Sequence, residues 1–254
     1  LLMALPWLPR RREVAAAVVS LPNCNGCGRC FADCPYSAVI MQPRTDGLPY
    51  ESEASVNPDL CTACGICAGA CPTATPFRRT TELVAGIDMP LLPVRELRQR
   101  TLDAMAPLSG NDRVLVYGCR SSCDLAILAG SGVGVVSLPC VAALPPSFID
   151  FAISRRHADG VILVGCAAGD CYQRLGVDWT EQRLAGQRDP FLRGRVPRNR
   201  VATIWAGPRD SAELARRVAA FRAQLRDMGP FPRGGTPPDS SSQSEVRNVS
   251  YRMG

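Results

Sequence analysis

The sequence predicts two different folds in one chain: a small, cysteine-rich α+β unit, and after it an α/β domain built on a parallel sheet. Two observations lead to this prediction. A string of the form Cys-x-x-Cys-x-x-Cys-x-x-x-Cys-Pro occurs twice, at residues 24–35 and 61–72. After Arg113, four apolar runs rich in β-branched residues alternate with helix-like stretches, which is the pattern of a parallel sheet covered on both faces.

The first residues, 1–12, form an apolar and basic segment, "LLMALPWLPRRR". Its apolar run is too short to cross a bilayer, which takes about twenty residues. An apolar run that ends in Trp and is followed by arginines is nevertheless typical of the cytoplasmic end of a membrane helix. We therefore expect either a membrane part upstream, such as a cytochrome-like module, or a frayed apolar terminus. The expected location is cytoplasmic, with attachment to the cytoplasmic face of the membrane in the first case.

Residues 13–80 contain both cysteine strings. Three cysteines at this spacing wrap one iron–sulfur cube, and the fourth, followed by Pro, binds the other cube. The chain therefore predicts two [4Fe–4S] clusters with crossed ligands. The first takes Cys24, Cys27, Cys30 and Cys71, and the second takes Cys61, Cys64, Cys67 and Cys34. Gly28 and Gly65 would allow the backbone to approach the clusters.

Two other uses of these cysteines fit the pattern less well. Zinc sites usually have two pairs of ligands separated by a longer gap, and thioredoxin-like redox sites need a single Cys-x-x-Cys near a βαβ unit. The repeated string resembles bacterial-type two-cluster ferredoxins over roughly 60 residues. That resemblance implies an α+β ferredoxin-like domain at residues 13–80.

Residues 81–112 connect the two units and predict a helix started by Pro93. From there, residues 113–228 predict an α/β parallel-sheet domain of the flavodoxin-like kind. Three of its four apolar runs end in a cysteine, namely Cys119, Cys140 and Cys166. Because sites in open α/β sheets gather at the carboxyl ends of strands, these cysteines are expected at a site.

Five cysteines lie in this second domain: Cys119, Cys123, Cys140, Cys166 and Cys171. The stretch "GVILVGCAAGDC", with "LPC" and "PPSF" before it, is similar to the delta subunit of the methyl-viologen-reducing hydrogenase. The resemblance implies one [2Fe–2S] cluster bound by four of the five thiols, and leaves open which four. Two positions differ from the family pattern. The first pair, Cys119 and Cys123, has the spacing Cys-x-x-x-Cys where the family commonly has Cys-x-x-Cys, and Tyr172 stands where the family usually has His. The remaining thiol would be a small buried apolar group.

Composition excludes several other functions. All 29 basic residues are Arg, which excludes a Schiff-base or P-loop lysine. The single His excludes bis-His haem ligation within these residues. The net charge is +6, but the arginines are scattered among acidic residues and few aromatic residues lie between them. Nucleic acid is therefore not an expected partner. The final residues, 229–254, are rich in Pro, Gly and Ser, and predict a disordered tail.

These observations predict an iron–sulfur electron-transfer subunit with no catalytic residue of its own. Electrons would pass between the two [4Fe–4S] clusters and the [2Fe–2S] cluster. By resemblance, the partners are flavoprotein subunits of a hydrogenase-like or heterodisulfide-reductase-like complex, or a membrane quinone-linked module. The alternative is a thiol/disulfide reductase, in which the ferredoxin unit supplies electrons to the C-terminal cysteines.

Overall fold

The structure, a computed structural model, describes residues 15–78, 83–128 and 132–231. The predictions for the apolar segment 1–12 and for the tail beyond residue 231 lie outside these ranges. Within them, no helix has both the length and the apolar character needed to cross a bilayer.

Short strands and two short helices form the cysteine-rich part. The strands pair antiparallel as β1 with β4 and β2 with β3. The bounds are β1 Val18–Val19, α1 Arg29–Asp33, β2 Val39–Pro43, β3 Ser52–Val56, α2 Ile66–Ala70 and β4 Ile87–Asp88. The segment after the first cysteine string forms β2.

The repeat in sequence is also a repeat in local structure. Helix α1 follows Gly28, with φ of 70°, and α2 follows Gly65, with φ of 78°. Both glycines adopt the left-handed backbone conformation that other residues rarely tolerate. Each helix then ends just before the fourth cysteine of its string, so that Cys34 and Cys71 occupy equivalent positions.

The connector contains the predicted helix, α3, at Val94–Met105, with Pro93 immediately before it. The carboxylate of Asp88 accepts hydrogen bonds from the backbone N–H of Val94, at 2.9 and 3.1 Å. This carboxylate satisfies an N–H that the first helical turn would otherwise leave unpaired. The buried Thr101 hydroxyl lies 2.9 Å from the Tyr117 hydroxyl and ties the helix to the sheet that follows.

The second half contains the predicted parallel sheet, in the strand order β6-β5-β7-β8. The strands are β5 Val114–Cys119, β6 Val133–Leu138, β7 Gly160–Gly165 and β8 Val201–Trp205. The helices are α4 Pro146–Ser154, α5 Gly176–Ala185 and α6 Ser211–Met228. The stretch after Cys123, which the sequence predicts as helix-like, contains a 3-10 helix at Leu125–Leu128. Residues 129–131 lie outside the described residues.

The sheet is buried on both faces, as its continuous apolar strands require. Val114 and Val116 of β5 pack with Leu214 and other apolar residues of α6 on one face. The alternate residues of β5 belong to a second core on the other face, which includes Phe148 of α4. This second core continues without a break into the cysteine-rich part, where it includes Val39, Cys67 and Ile87.

The order of the strands creates one position where the chain direction across the sheet reverses. Strand β6 lies on one side of β5, and β7 lies on the other side of β5. Ligands in such sheets bind at the carboxyl ends of the strands at this reversal. Cys119 is the last residue of β5 and Cys166 directly follows β7, so both thiols lie at this position.

Candidate metal centres

The first group of thiols combines three cysteines of the first string with one of the second. The Cys30 thiol lies near Cys71, Cys27 and Cys24, and its pKa is raised to about 12 by burial first and then by these three neighbours. This is the crossed set that the spacing predicts. Cys27 is exposed, whereas Cys30 and Cys71 are buried, so the group reaches the surface on one side.

The second group lines a small, partly open pocket. Its four cysteines are Cys34, Cys61, Cys64 and Cys67, and the remaining wall is mainly apolar. Burial raises the pKa of the Cys67 thiol, and the nearby thiols Cys64, Cys30, Cys61 and Cys34 act in the same direction. Four thiols around an apolar pocket fit a [4Fe–4S] cluster, which needs four thiolates and little water.

The backbone also approaches Cys34 directly. The Ala38 N–H lies 3.3 Å from the Cys34 Sγ and donates to it. Hydrogen bonds to cluster sulfurs are one of the means by which a protein sets a reduction potential. All thirteen cysteines are free thiols. Among the described residues, no three His, Cys, Asp or Glu side chains are grouped closely enough to hold a single metal ion.

The glycines of the cysteine strings have a second use that the sequence does not reveal. A Cβ on Gly65 would lie 2.9 Å from the Cβ of Ala143, and a Cβ on Gly69 would lie 2.0 Å from the Ala142 carbonyl oxygen. Both glycines therefore allow the turn that follows Cys140, Val141–Ala143, to pack tightly against α2.

The third group lies at the reversal of the sheet. The Cys119 and Cys166 sulfurs are 3.9 Å apart. Cys140 and Cys171 share a hydrogen bond, which raises the pKa of Cys140 and lowers that of Cys171 to about 5. Cys166 also interacts with Cys171, and Cys140 interacts with Cys119. The structure thus brings four of the five candidate thiols together.

The fifth candidate, Cys123, lies elsewhere. It packs in the core on the α6 face of the sheet, whereas Cys119 and Cys166 belong to the core on the opposite face. Burial raises the pKa of the Cys123 thiol, and the carboxylates of Asp210 and Asp124 act in the same direction. Cys119 and Cys123 are separated by three residues, one more than in a Cys-x-x-Cys pair, and the two thiols lie on opposite faces of the sheet.

Gly176 leaves space for the sulfurs of Cys140 and Cys171, a role that no sequence motif indicates. It is the first residue of α5. A Cβ at this position would lie 2.3 Å from the Cys140 sulfur and 3.3 Å from the Cys171 sulfur. Any side chain here would displace the Cys140 thiol.

The second and third groups share a buried contact. Cys64 and Cys140 belong to one small apolar cluster, together with Ile66 and Ala142, and Trp179 packs against it. The Tyr36 hydroxyl donates to the Gln173 side chain at 2.8 Å, beside Cys171. The second and third groups are therefore joined by a buried apolar contact and by a side-chain hydrogen bond.

Two family comparisons match different parts of the chain. Residues 126–229 match the family described as methyl-viologen-reducing hydrogenase, delta subunit, and residues 23–75 match the 4Fe-4S dicluster domain. An iron-sulfur subunit of the F420-non-reducing hydrogenase of Archaeoglobus profundus is 31% identical over 99 residues, 39% of this chain and 72% of that protein. The chain belongs to the methyl-viologen-reducing hydrogenase delta-subunit family. This protein adds a 4Fe–4S dicluster domain before the delta-subunit region.

Two further relatives match the dicluster region of this delta-subunit family member. An uncharacterized ferredoxin of Methanocaldococcus jannaschii is 36% identical over 56 residues, 22% of this chain and 68% of the ferredoxin. One component of the Na(+)-translocating ferredoxin:NAD(+) oxidoreductase complex of Acetobacterium woodii is 45% identical over 50 residues, 20% of this chain. The match covers 13% of that component. Binding of 4Fe–4S clusters is therefore supported by relatives as well as by the thiol geometry.

Proposed function

We propose that this delta-subunit family member relays electrons through two [4Fe–4S] clusters and one [2Fe–2S] cluster. The observation that carries the proposal is the arrangement of the thiols: three sets of four are held in a single folded body, and the second and third sets share a buried contact. The protein's part would be to hold the thiolates, exclude water and set the potentials through burial and hydrogen bonds.

The proposed ligands follow from the three thiol groups. The first [4Fe–4S] site is formed by Cys24, Cys27, Cys30 and Cys71, and the second by Cys61, Cys64, Cys67 and Cys34. For the [2Fe–2S] site we propose Cys119, Cys140, Cys166 and Cys171, which interact with one another. Cys123 is left out, because it lies in the core on the other face of the sheet.

The order of the three sites gives the proposed route. The first site reaches the surface at Cys27, the second contacts the third through the shared apolar cluster, and the third lies beside Tyr172, which is 73% exposed. Electrons would enter or leave at the first and third sites and pass through the second site between them.

We further propose that residues 13–80 form a ferredoxin-like domain and residues 113–228 the [2Fe–2S] domain, with residues 81–112 as the helical connector. The pseudo-symmetric helices α1 and α2 support the first assignment, and the parallel sheet supports the second.

The proposed partners are redox proteins of a hydrogenase-like or heterodisulfide-reductase-like complex, including a flavoprotein. Family membership and the name of the Archaeoglobus relative, a hydrogenase iron–sulfur subunit, support this proposal. Association with a membrane complex at the cytoplasmic face, including a cytochrome-like module, is a second proposal. It is supported by the sequence of residues 1–12 and by the match to a component of an Na(+)-translocating complex.

The experiment is stepwise reduction of the anaerobically purified chain, followed by EPR. We expect signals of two interacting [4Fe–4S] clusters and a separate [2Fe–2S] signal that Cys166→Ser removes. Loss of the same signal in Cys123→Ser would contradict the ligand set, and absence of a [2Fe–2S] signal in the unaltered protein would contradict the three-cluster relay.

One observation favours a second function, the thiol/disulfide reductase. The lowered pKa of Cys171, caused first by its hydrogen bond with Cys140, is typical of reactive thiols. In this case two electrons from the [4Fe–4S] sites and two protons would convert a disulfide of the third group into two thiols. The reductase predicts two additional titratable thiols after reduction, and no [2Fe–2S] signal.

A further inference from the structure

A buried arginine lies between the second and third thiol groups. Arg183 of α5 is 1% exposed. Its Nη1 donates to the Ala142 carbonyl at 2.8 Å, and its Nη2 lies 2.5 Å from Asp33 Oδ2 and 3.5 Å from the Ile66 carbonyl. Asp33 and Ile66 directly precede Cys34 and Cys67, and Ala142 is two residues after Cys140. One guanidinium therefore contacts the backbone or side chain beside a thiol of both groups.

The partners of Arg183 do not neutralise it fully. The Asp33 carboxylate is 3% exposed and also accepts a hydrogen bond from Arg188, whose guanidinium stacks 3.4 Å from the centre of the Trp179 ring. Asp33, Arg183 and Arg188 thus form a charge triad of two cations and one anion, with a net charge of +1. The buried Nε of Arg183 has no hydrogen-bond partner within the described part of the chain.

We propose that this charge triad is an electrostatic bridge between the second [4Fe–4S] site and the third site, which raises the reduction potentials of both. The proposal rests on the proposed function, because it needs clusters at these thiols. Adding an electron to an iron–sulfur site makes it more negative. A fixed positive charge in a buried, low-dielectric position therefore favours the reduced state at both sites.

Shared contact with Arg183 also couples the geometry of the two sites. The end of α1 before Cys34, the start of α2 before Cys67 and the turn after Cys140 all bond to the same side chain. Arg183 is a positioning residue in this sense, since it touches no thiol directly in the hydrogen bonds described above. Substitution can separate the effect of the Arg183 charge from the effect of its hydrogen bonds, because lysine keeps the charge but not the guanidinium geometry.

The test uses variants of the whole, cluster-loaded chain that change the triad charge in opposite directions. Arg183→Met and Arg188→Gln each lower the net charge from +1 to zero, and Asp33→Asn raises it to +2. We expect EPR-monitored redox titration to give more negative potentials for both sites in the first two variants and more positive potentials in Asp33→Asn. Arg183→Lys keeps the charge and should restore most of the potential lost in Arg183→Met.

A matched control is Arg100→Gln, which removes an exposed arginine paired with Glu96 on α3 and should leave the potentials unchanged. If Arg183→Met does not fold, Arg188→Gln and Asp33→Asn still test the proposal, because the Arg188 side chain is 23% exposed and Asn keeps the size of Asp. General damage to the fold would not reverse the sign of the shift between these two variants.

Equal shifts in the same direction for Arg188→Gln and Asp33→Asn, or no shift in either, would overturn the bridge. Failure of the relay itself has a different signature. If the unaltered protein lacked the [2Fe–2S] signal but the potential of the second [4Fe–4S] site still moved in opposite directions in the two variants, the three-cluster function would be wrong. The action of the triad on that [4Fe–4S] site would then stand.

Discussion

At the scale of single residues, cysteine spacing predicts most of the chemistry, and neighbouring small residues decide whether the thiols meet. The eight thiols of the repeated string group in the crossed sets expected from their order. Spacing could not select among the five later cysteines, because that choice depends on which face of the sheet each one occupies. Gly176 likewise carries no motif, yet its missing side chain leaves room for the Cys140 sulfur.

The first prediction concerns the odd cysteine. Cys123→Ser should keep the iron content of the protein, since Cys123 lies apart from the other thiols of the second half. Cys119→Ser should lower it by about two iron atoms per chain, the content of one [2Fe–2S] cluster. Iron and acid-labile sulfide analysis of both variants checks this, and equal losses in the two would contradict the proposed ligand set.

The second prediction concerns Gly176. Gly176→Ala should also lose about two iron atoms per chain, because its Cβ would meet the Cys140 sulfur at 2.3 Å. Gly194→Ala is the matched control, since a Cβ at Gly194 has no neighbour within 4 Å. The visible spectrum and iron content of the two variants provide the measurement. A Gly176→Ala protein with the full iron content would show that a Cβ beside the Cys140 sulfur does not prevent cluster binding.

At the scale of elements, the periodic parts of the chain could be predicted and the irregular parts could not. The four parallel strands and α3 follow from apolar runs and from Pro93. The 3-10 helix at Leu125–Leu128 lies in a stretch whose apolar composition predicts helical structure. The turn at Val141–Ala143, which packs on α2, has no periodicity at all.

The third prediction concerns the anchoring of α4. Asp150 of this helix has a fully buried side chain, and Arg195 donates to it at 2.5, 2.9 and 3.1 Å. The Arg195 side chain is 46% exposed, and Arg193 also pairs with Asp150, at 3.8 Å. Because Arg193 keeps part of the compensating charge, Arg195→Met should lower the free energy of unfolding by about 1–3 kcal/mol, the cost of removing the closest donors to a buried acceptor. Urea unfolding monitored by circular dichroism measures this change.

The control for α4 is Arg100→Met, which removes an exposed helical ion pair. Such pairs contribute only about 0.3–0.5 kcal/mol. If Arg195→Met proved as mild as this control, the buried carboxylate would have another source of compensation, and the anchoring role of Arg195 would be rejected.

At the scale of the whole molecule, the contact between the two cysteine-containing parts is what sequence could not reveal. Arg183 and Asp33 are far apart in sequence and belong to no motif, and neither residue type is commonly buried. Their burial becomes understandable only when the parts are docked, because each satisfies the other and the adjoining loops. The two sequence units are therefore joined by a polar contact as well as by an apolar core.

The fourth prediction follows from that shared core. Because one apolar core runs through both parts, the loaded protein should unfold in one cooperative transition. Loss of cluster absorbance in the visible range should coincide with loss of helical circular dichroism. Two separated transitions would show that the parts fold independently, and that the contact between them contributes little to stability.

The most direct test of the central claim is the iron and acid-labile sulfide content of the unaltered, anaerobically purified chain. Three centres held by twelve thiolates predict about ten iron atoms per chain, four for each [4Fe–4S] cluster and two for the [2Fe–2S] cluster. A content of about eight iron atoms, with reactive thiols in the second half, would contradict the three-centre relay and favour the reductase. Zinc in place of iron would contradict both.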